Sequence, residues 1–387
     1  MSDEIETRKF AAGRSRKLII YFGAPVSSTW ADRFGFEAYR EYGFRVEFWT
    51  TQGVFFTPEQ LAVSRAGSKD YLFRSKDLIE IRSFDEFEER LRAVDADTLF
   101  WVIDRGPIES SSDTRDLDLL NGCNIKYIDK HLLPYHVPTH PYRKMRYYGR
   151  ELKRRRYNSK RKPVLVLGTG RLGRTQVRWT FPNRFVYKSV PSLDVLWEKK
   201  APEVTSKYAV YVDEAVQHAP DDSLMNHDSA VCDDVEGFYG RLNCILRKVE
   251  DWLGIPVVVG ASNKYHYVEN PFGDREIVVE KTQNLIQHAE IVIGHCSAAL
   301  MQAIVDNKAV MMLAERRFAE RKQRKIFEQA PLFGTKPIWT EQLTKAELEE
   351  VKNHDVSRYR RTRLNYLRED EVAGGFVENV VEALHGI

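Results

Sequence analysis

The chain has 387 residues, with 59 Lys and Arg against 56 Asp and Glu and a formal net charge of +3. Hydrophobic residues make up 43% and aromatics 12%, enough to bury substantial cores, which excludes a disordered chain, and the length implies about two domains. The four cysteines, Cys123, Cys232, Cys244 and Cys296, form no CxxC pair, so neither a disulfide framework nor a zinc site is suggested. No stretch approaches the roughly 20 apolar residues of a membrane span, and no apolar run precedes Leu18, so a cytosolic protein without a signal peptide is expected.

In chain order, KLIIYFG (17–23) reads as a buried strand, ADRFGFEAYREYG (31–43) as a helix and FRVEFWTT (44–51) as a second strand. IEIRS, the charged FDEFEERLRAV, TLFWVID and NIKYID repeat the alternation, which implies a parallel sheet with helices on both faces. Pro134, Pro138 and Pro141 then interrupt regular structure and mark a domain boundary. A second alternation follows: VLVLG, RFVYKSV, KYAVYVDE, a helix over 238–253, IPVVVGA, REIVVE, a helix from 283, EIVIGH, a helix over 297–305 and AVMML. The tail from Lys345 is helical and charged, and Phe376, Val377, Val380, Val381 and Leu384 form one apolar stripe near its end. The expected fold class is α/β, with two Rossmann-like doubly wound domains over 1–142 and 163–345, a basic linker over 143–162 and C-terminal helices over 346–387.

The small net charge conceals an asymmetry. Eleven Lys and Arg face one acid, Glu151, between Arg143 and Lys162, so this segment carries +10 and the rest of the chain −7. Tyr147, Tyr148 and Tyr157 interleave with the charges, and Arg154, Arg155 and Arg156 stand together. Such a run suits an anionic membrane surface, a nucleic acid or simply solvent.

Gly168, Gly170 and Gly173 have GxGxxG spacing after a strand, yet Pro182 soon follows and Lys188 stands where an acid should close the next strand, so a dinucleotide site is not expected. His131, His136 and His140 lie among prolines without zinc-like spacing, and Asp116 with Asp118 forms an isolated DxD. Asp213 and Glu214, followed by His218 and Asp221, end a strand, where ligands collect in doubly wound sheets and where a tuned carboxylate can act as general base. Gly294-His295-Cys296-Ser297 joins a buried strand to a helix whose free N–H groups suit a phosphate, or which Ser297 simply caps.

These residues carry a resemblance. YVDEA with PDD, HYVENPFGDREIVVEKTQNLIQHAEIVIGHCSAA and AIVDNKAVMML make Tyr208–Leu313, roughly a quarter of the chain, similar to the C-terminal half of GT-B glycosyltransferases from bacterial lipopolysaccharide and capsule clusters, related to Kdo- and sialic-acid-type transferases. The resemblance implies a nucleotide-sugar domain at the C-terminal side, an acceptor domain before it, and a terminal helix crossing back to the first domain. It implies Asp213 and Glu214 as the acidic catalytic motif. His295, Ser297, Ser262, Asn263, Lys264, Asn270, Gly273, Arg275 and Lys281 would contact or shape the donor pocket. No cofactor and no divalent metal are expected, and the partners implied are a nucleotide sugar, a saccharide or lipid-linked acceptor and an anionic membrane face, with no nucleic acid. Ser262-Asn263 stands where the family generally has His-Pro; Lys264 or His266 could substitute, or the chain could be a non-catalytic scaffold of a polysaccharide assembly complex. Nucleic-acid binding through the basic run is the remaining alternative.

Overall fold

The structure is a computed structural model that describes residues 16–65, 73–105, 115–131, 145, 152, 162–180, 185–191, 196–215, 232, 234–261, 265–369 and 372–387. The first sheet has seven parallel strands: β1 (Lys17–Phe22), β2 (Arg45–Thr50), β3 (Leu78–Glu80), β4 (Leu99–Asp104), β5 (Tyr127–His131), β6 (Leu165–Gly168) and β7 (Val186–Ser189), in the order β3-β2-β1-β4-β5-β6-β7. The second has six: β8 (Ala209–Val212), β9 (Val257–Ala261), β10 (Ile277–Val279), β11 (Ile291–Gly294), β12 (Ala309–Ala314) and β13 (Ile338–Trp339), in the order β10-β9-β8-β11-β12-β13. The central strands are apolar runs because both faces are covered: β12, AVMMLA, is buried at every position, as parallel sheets between helices require. This is the expected architecture of two doubly wound domains.

Sheet pairing moves the expected boundary. β6 pairs with β5 through Ile128–Leu165, and β7 pairs with β6 through Leu165–Val186. VLVLG and RFVYKSV therefore complete the first domain, and the second sheet opens at Ala209 rather than near residue 163. The prolines and the basic run fall inside the β5–β6 connection. Residues 146–151 and 153–161, including Arg154, Arg155 and Arg156, lie outside the described residues, as do His136 and His140. His131 is the last residue of β5 and so belongs to the sheet, ahead of the prolines.

The helix expected over 31–43 is split into Ser28–Arg33 and a 3-10 turn at Ala38–Arg40. Gly35 between them adopts φ 63°, and a Cβ there would strike Val377 of the C-terminal helix, so the break makes room for that helix. Asp116 and Asp118 sit on the helix Arg115–Gly122. Asp116 is buried against the Arg105 guanidinium, with Nε donating at 2.6 Å, and residues two apart do not share a helix face, so the DxD pair is not a metal motif.

The C-terminal tail spans both domains. Tyr359, Tyr366 and Leu367 belong to the core of the second domain, whereas Phe376, Val380, Val381 and Leu384 pack against β1 and β4 in the core of the first. Between them the chain crosses over the GxGxxG turn. Thr169 Oγ1 donates to the Tyr366 carbonyl at 2.7 Å and Ser189 Oγ to Glu369 at 2.8 Å. Gly170 has φ 61°, and a Cβ there would lie 2.6 Å from the Tyr366 amide nitrogen and fall on the Asn365 carbonyl. The glycine spacing thus serves a close backbone crossing, and carbonyl oxygens occupy the approach a pyrophosphate would need. Gly170→Ala should cost about 2–3 kcal/mol from the positive φ and the clash together, while Gly122→Ala, with open space around it, should stay within about 0.5 kcal/mol of the parent. Urea unfolding of both variants checks this, and equal stabilities would remove the crossover from the explanation.

Candidate active site

The second sheet runs outward from its centre in both directions. β8 leads to β9 and β10 on one side, and β11 leads to β12 and β13 on the other. The strand order therefore reverses between β8 and β11, and the crevice outside their carboxyl ends is where such sheets bind ligands. Asp213 and Glu214 leave β8 at this point, and His295, Cys296 and Ser297 leave β11. The two expected motifs face one another.

Asp213 continues the ladder, its N–H donating to the Gly260 carbonyl at 3.0 Å. Its side chain is buried; Oδ1 accepts from the Ala215 N–H at 3.0 Å and Oδ2 from the Tyr267 hydroxyl at 2.8 Å. Ala215 adopts φ 46°, an unusual conformation for a residue with a Cβ, and this bend aims its N–H back at the carboxylate. Burial pushes Asp213 up to about 6, against the pull of those two hydrogen bonds. Tyr267 in turn accepts from Tyr239 across 3.3 Å, and burial together with the Asp213 charge raises the Tyr267 hydroxyl far above its usual range.

Glu214 points the other way. Oε1 accepts from the Cys296 N–H at 2.6 Å, and Oε2 pairs with the Lys322 ammonium. Burial opposes its ionisation, yet the Lys322 ammonium, with the Cys296 N–H, holds it below the usual carboxylate range. Cys296 lies beside this pair, and burial with the Glu214 charge pushes its thiol up to about 12. Of the acidic pair, only Asp213 is poised to change protonation near neutral pH; Glu214 fastens the two loops together.

His295 is fully enclosed, with Nδ1 at 2.9 Å from the Leu313 carbonyl and Nε2 at 3.2 Å from the Tyr211 hydroxyl. Burial lowers its value, so a neutral ring braces the sheet end, and the expected contact with a donor phosphate is not available to it. Ser297 caps the turn Ala298–Leu300, its Oγ accepting from the Ala299 N–H at 3.2 Å.

The NPFGDR segment is also structural. Asn270 closes the turn through the Phe272 N–H and the Arg275 carbonyl, each at 2.9 Å, and Gly273 supplies φ 70°. Arg275 forks onto Glu250 at 2.9 and 2.6 Å and donates to Asn243. Its guanidinium is therefore committed to the helix Val235–Leu253 and not to a donor. Lys281 pairs with Glu203 at 3.1 Å. Ser262, Asn263, Lys264, His218 and Asp221 lie outside the described residues.

Three participants escaped sequence reasoning. Tyr267 and Lys322 are remote in sequence from the carboxylates they serve, and no local spacing marks them. Glu315 ends β12 as Asp213 ends β8, so the same strand-end rule would have found it. It is fully buried and accepts from Arg241, Thr340 and the Arg317 N–H at 3.1, 2.8 and 3.0 Å. Among the described residues no group of three His, Cys, Asp or Glu is placed to hold a metal, and no helix is long and apolar enough to cross a membrane.

No protein-family model and no curated protein matches the sequence. Solved structures do match the fold. A variant of the wall teichoic acid polymerase TagF with CDPG has a TM-score of 0.52 at 12% identity over 96% of this chain and 88% of that one. The spinosyn forosaminyltransferase SpnP has 0.51 at 11% over 97% and 99%. The UDP-GlcNAc 2-epimerase from Methanocaldococcus jannaschii has 0.51 at 10% over 96% and 100%. The chain thus has the two-domain Rossmann-like fold of GT-B proteins.

The Asp213 value gives a stability signature. It lies above that of an unfolded chain, so the folded state holds the proton more tightly and loses stability relative to the unfolded state as pH rises from about 4 to about 6, by on the order of 3 kcal/mol. Asp213→Asn removes this term. Urea unfolding should show the stability of the variant relative to the parent improving by about that amount between pH 4 and 7.5, and a difference independent of pH would contradict the assignment.

Proposed function

We propose that the protein is a GT-B-type glycosyltransferase that moves a sugar from a nucleotide-sugar donor to a hydroxyl of a saccharide or lipid-linked acceptor, with Asp213 as general base. The observation that carries this reading is a buried carboxylate, poised near neutral pH, at the switch point of a doubly wound sheet. Asp213 takes the proton of the acceptor hydroxyl as that oxygen bonds to the anomeric carbon. The bond from carbon to the donor phosphate oxygen breaks, and the nucleotide leaves with the electron pair. The turn that follows the neighbouring strand β11 starts at Ser297 beside the same crevice, and the backbone N–H groups of Ser297 and Ala298 there would support a phosphate without calling on a metal. Glu214 is a positioning residue that sets the two loops.

The fold shared with TagF, a polymerase captured with CDPG, supports a nucleotide-linked donor, and the sequence resemblance supports bacterial surface polysaccharide as the pathway, with a hexosyl or a Kdo- or sialyl-type donor. The basic segment around Arg154, Arg155 and Arg156 supports a cytoplasmic enzyme held to the anionic inner face of the membrane. The epimerase of the same fold and the absence of His-Pro at Ser262-Asn263 keep two competitors in the test, an epimerase and a scaffold.

The test is a panel of CMP-, CDP-, UDP- and GDP-sugars, scored for binding and for acceptor-dependent release of nucleotide. With the accepted donor, the rate should rise with pH through about 6 as Asp213 ionises. Asp213→Ala should lower it about 10²–10⁴-fold while nucleotide affinity persists. Binding of no nucleotide sugar leaves the scaffold reading, and conversion of the donor sugar without an acceptor leaves the epimerase.

A further inference from the structure

The second domain carries an opening beside the strand-end crevice, with Tyr267 common to both. After β9 the chain passes through residues 265–271 over the start of the helix Val235–Leu253 and leaves a pocket of about 310 Å³ lined by Tyr239, Tyr265, Tyr267, Val268, Glu269 and Pro271. The rings do not stack on one another. Tyr267 stands edge-on to Tyr265 (5.0 Å, 74°), to Tyr239 (6.5 Å, 82°) and to Phe272 (5.3 Å, 77°), so the tyrosines form the walls of a corner. Val268 is 91% exposed beside them.

Charge narrows the ligand. The lining holds a carboxylate, Glu269, and a second carboxylate, Asp213, stands 2.8 Å behind the Tyr267 hydroxyl. A phosphate is disfavoured in such a field, and a neutral polyol is not, because its hydroxyls donate to carboxylate and phenol oxygens. The C–H face of a pyranose packs against an aromatic ring whose face is electron-rich. The volume is at the small end for ligand sites and fits one ring better than a whole nucleotide sugar.

We propose that this tyrosine corner is a saccharide subsite that seats one pyranose ring of the acceptor beside Asp213. The proposal rests on the reading of Asp213 as base. Tyr267 belongs to both features, forming a wall of the subsite and donating to the carboxylate, so it is a positioning residue through which a bound sugar and the base are kept in register. Tyr265 forms another wall of the subsite.

The experiment measures sugar binding on the full chain without donor or turnover. Saturation-transfer NMR is run with methyl pyranosides of glucose, galactose, N-acetylglucosamine and N-acetylmannosamine and with their β1,4-linked disaccharides. At least one should bind, Tyr265→Ala should weaken it about tenfold or more, and Tyr265→Phe should retain it. Calorimetric affinities for CMP, CDP, UDP and GDP should stay within about twofold in both variants, which also shows that they fold. Absence of any pyranoside signal on the parent, or a loss of nucleotide affinity in Tyr265→Ala equal to the loss of sugar affinity, overturns the subsite. Tyr267→Phe removes a hydrogen bond that favours the Asp213 carboxylate, so it should move the acid limb of the pH–rate profile upward; an unmoved limb denies Tyr267 the positioning role. Sugar binding that survives in a chain with no transferase activity leaves the subsite standing and the base reading lost, so the two failures are distinguishable.

Discussion

The crevice depends on one buried ion pair. Glu214 leaves β8, reaches across the reversal in strand order and engages both the Cys296 N–H on the β11 loop and the Lys322 ammonium on the helix Glu320–Gln329. Removing two charges from water is expensive, and such a pair holds only when the geometry is good and the remaining bonding capacity is satisfied. Here the carboxylate has a backbone donor as well as the ammonium, which meets that condition. Its product is position. With the Cys296 amide fixed, His295 turns inward between the Leu313 carbonyl and the Tyr211 hydroxyl, and Ser297 is delivered to the mouth of the crevice as a cap.

The crossover of the tail imposes the second constraint, because it couples the two sheets through backbone atoms. The chain leaves the core of the second domain at Tyr366 and Leu367, passes so close to Gly170 that a side chain would not fit, and then buries Phe376 through Leu384 in the first domain. Lys188 of β7 meets Glu382 at 2.7 Å on the far side, so the last strand of the first sheet is gripped by the same tail. A glycine pattern that reads as a phosphate cradle is therefore used for the opposite electrostatic purpose. Carbonyl oxygens sit at the helix start, where an anion would otherwise be drawn.

How much of this the sequence disclosed follows from the range of the forces involved. Strands such as β1, β4 and β12 were legible because burial on both faces writes a continuous apolar run. The domain boundary was not, since prolines and charge break local structure wherever they fall, and only the long-range pairing of Ile128 with Leu165 shows which sheet β6 joins. Asp213 was legible from its place at a strand end. Its partners were not, because Tyr267 lies 54 residues away and Lys322 lies 108 residues from Glu214. The NPFGDR run was conspicuous for another reason. A tight turn that needs a left-handed glycine, an asparagine closing it and an arginine tying it to a helix leaves a recognisable pattern whether or not a ligand is near.

The adjacent acids Asp213 and Glu214 show how one strand end serves two tasks. Successive residues in extended chain face opposite sides, so neighbours in sequence meet different surroundings. Glu214 meets a cation and a backbone amide and stays ionised. Asp213 meets the Tyr267 hydroxyl, a backbone N–H and no cation among its described partners, and burial raises it toward neutrality. Two carboxylates pushed apart in this way separate the roles of base and brace. The raised carboxylate destabilises the fold at neutral pH, while the satisfied one beside it ties the chain after β8 to the loop after β11 and to the helix Glu320–Gln329.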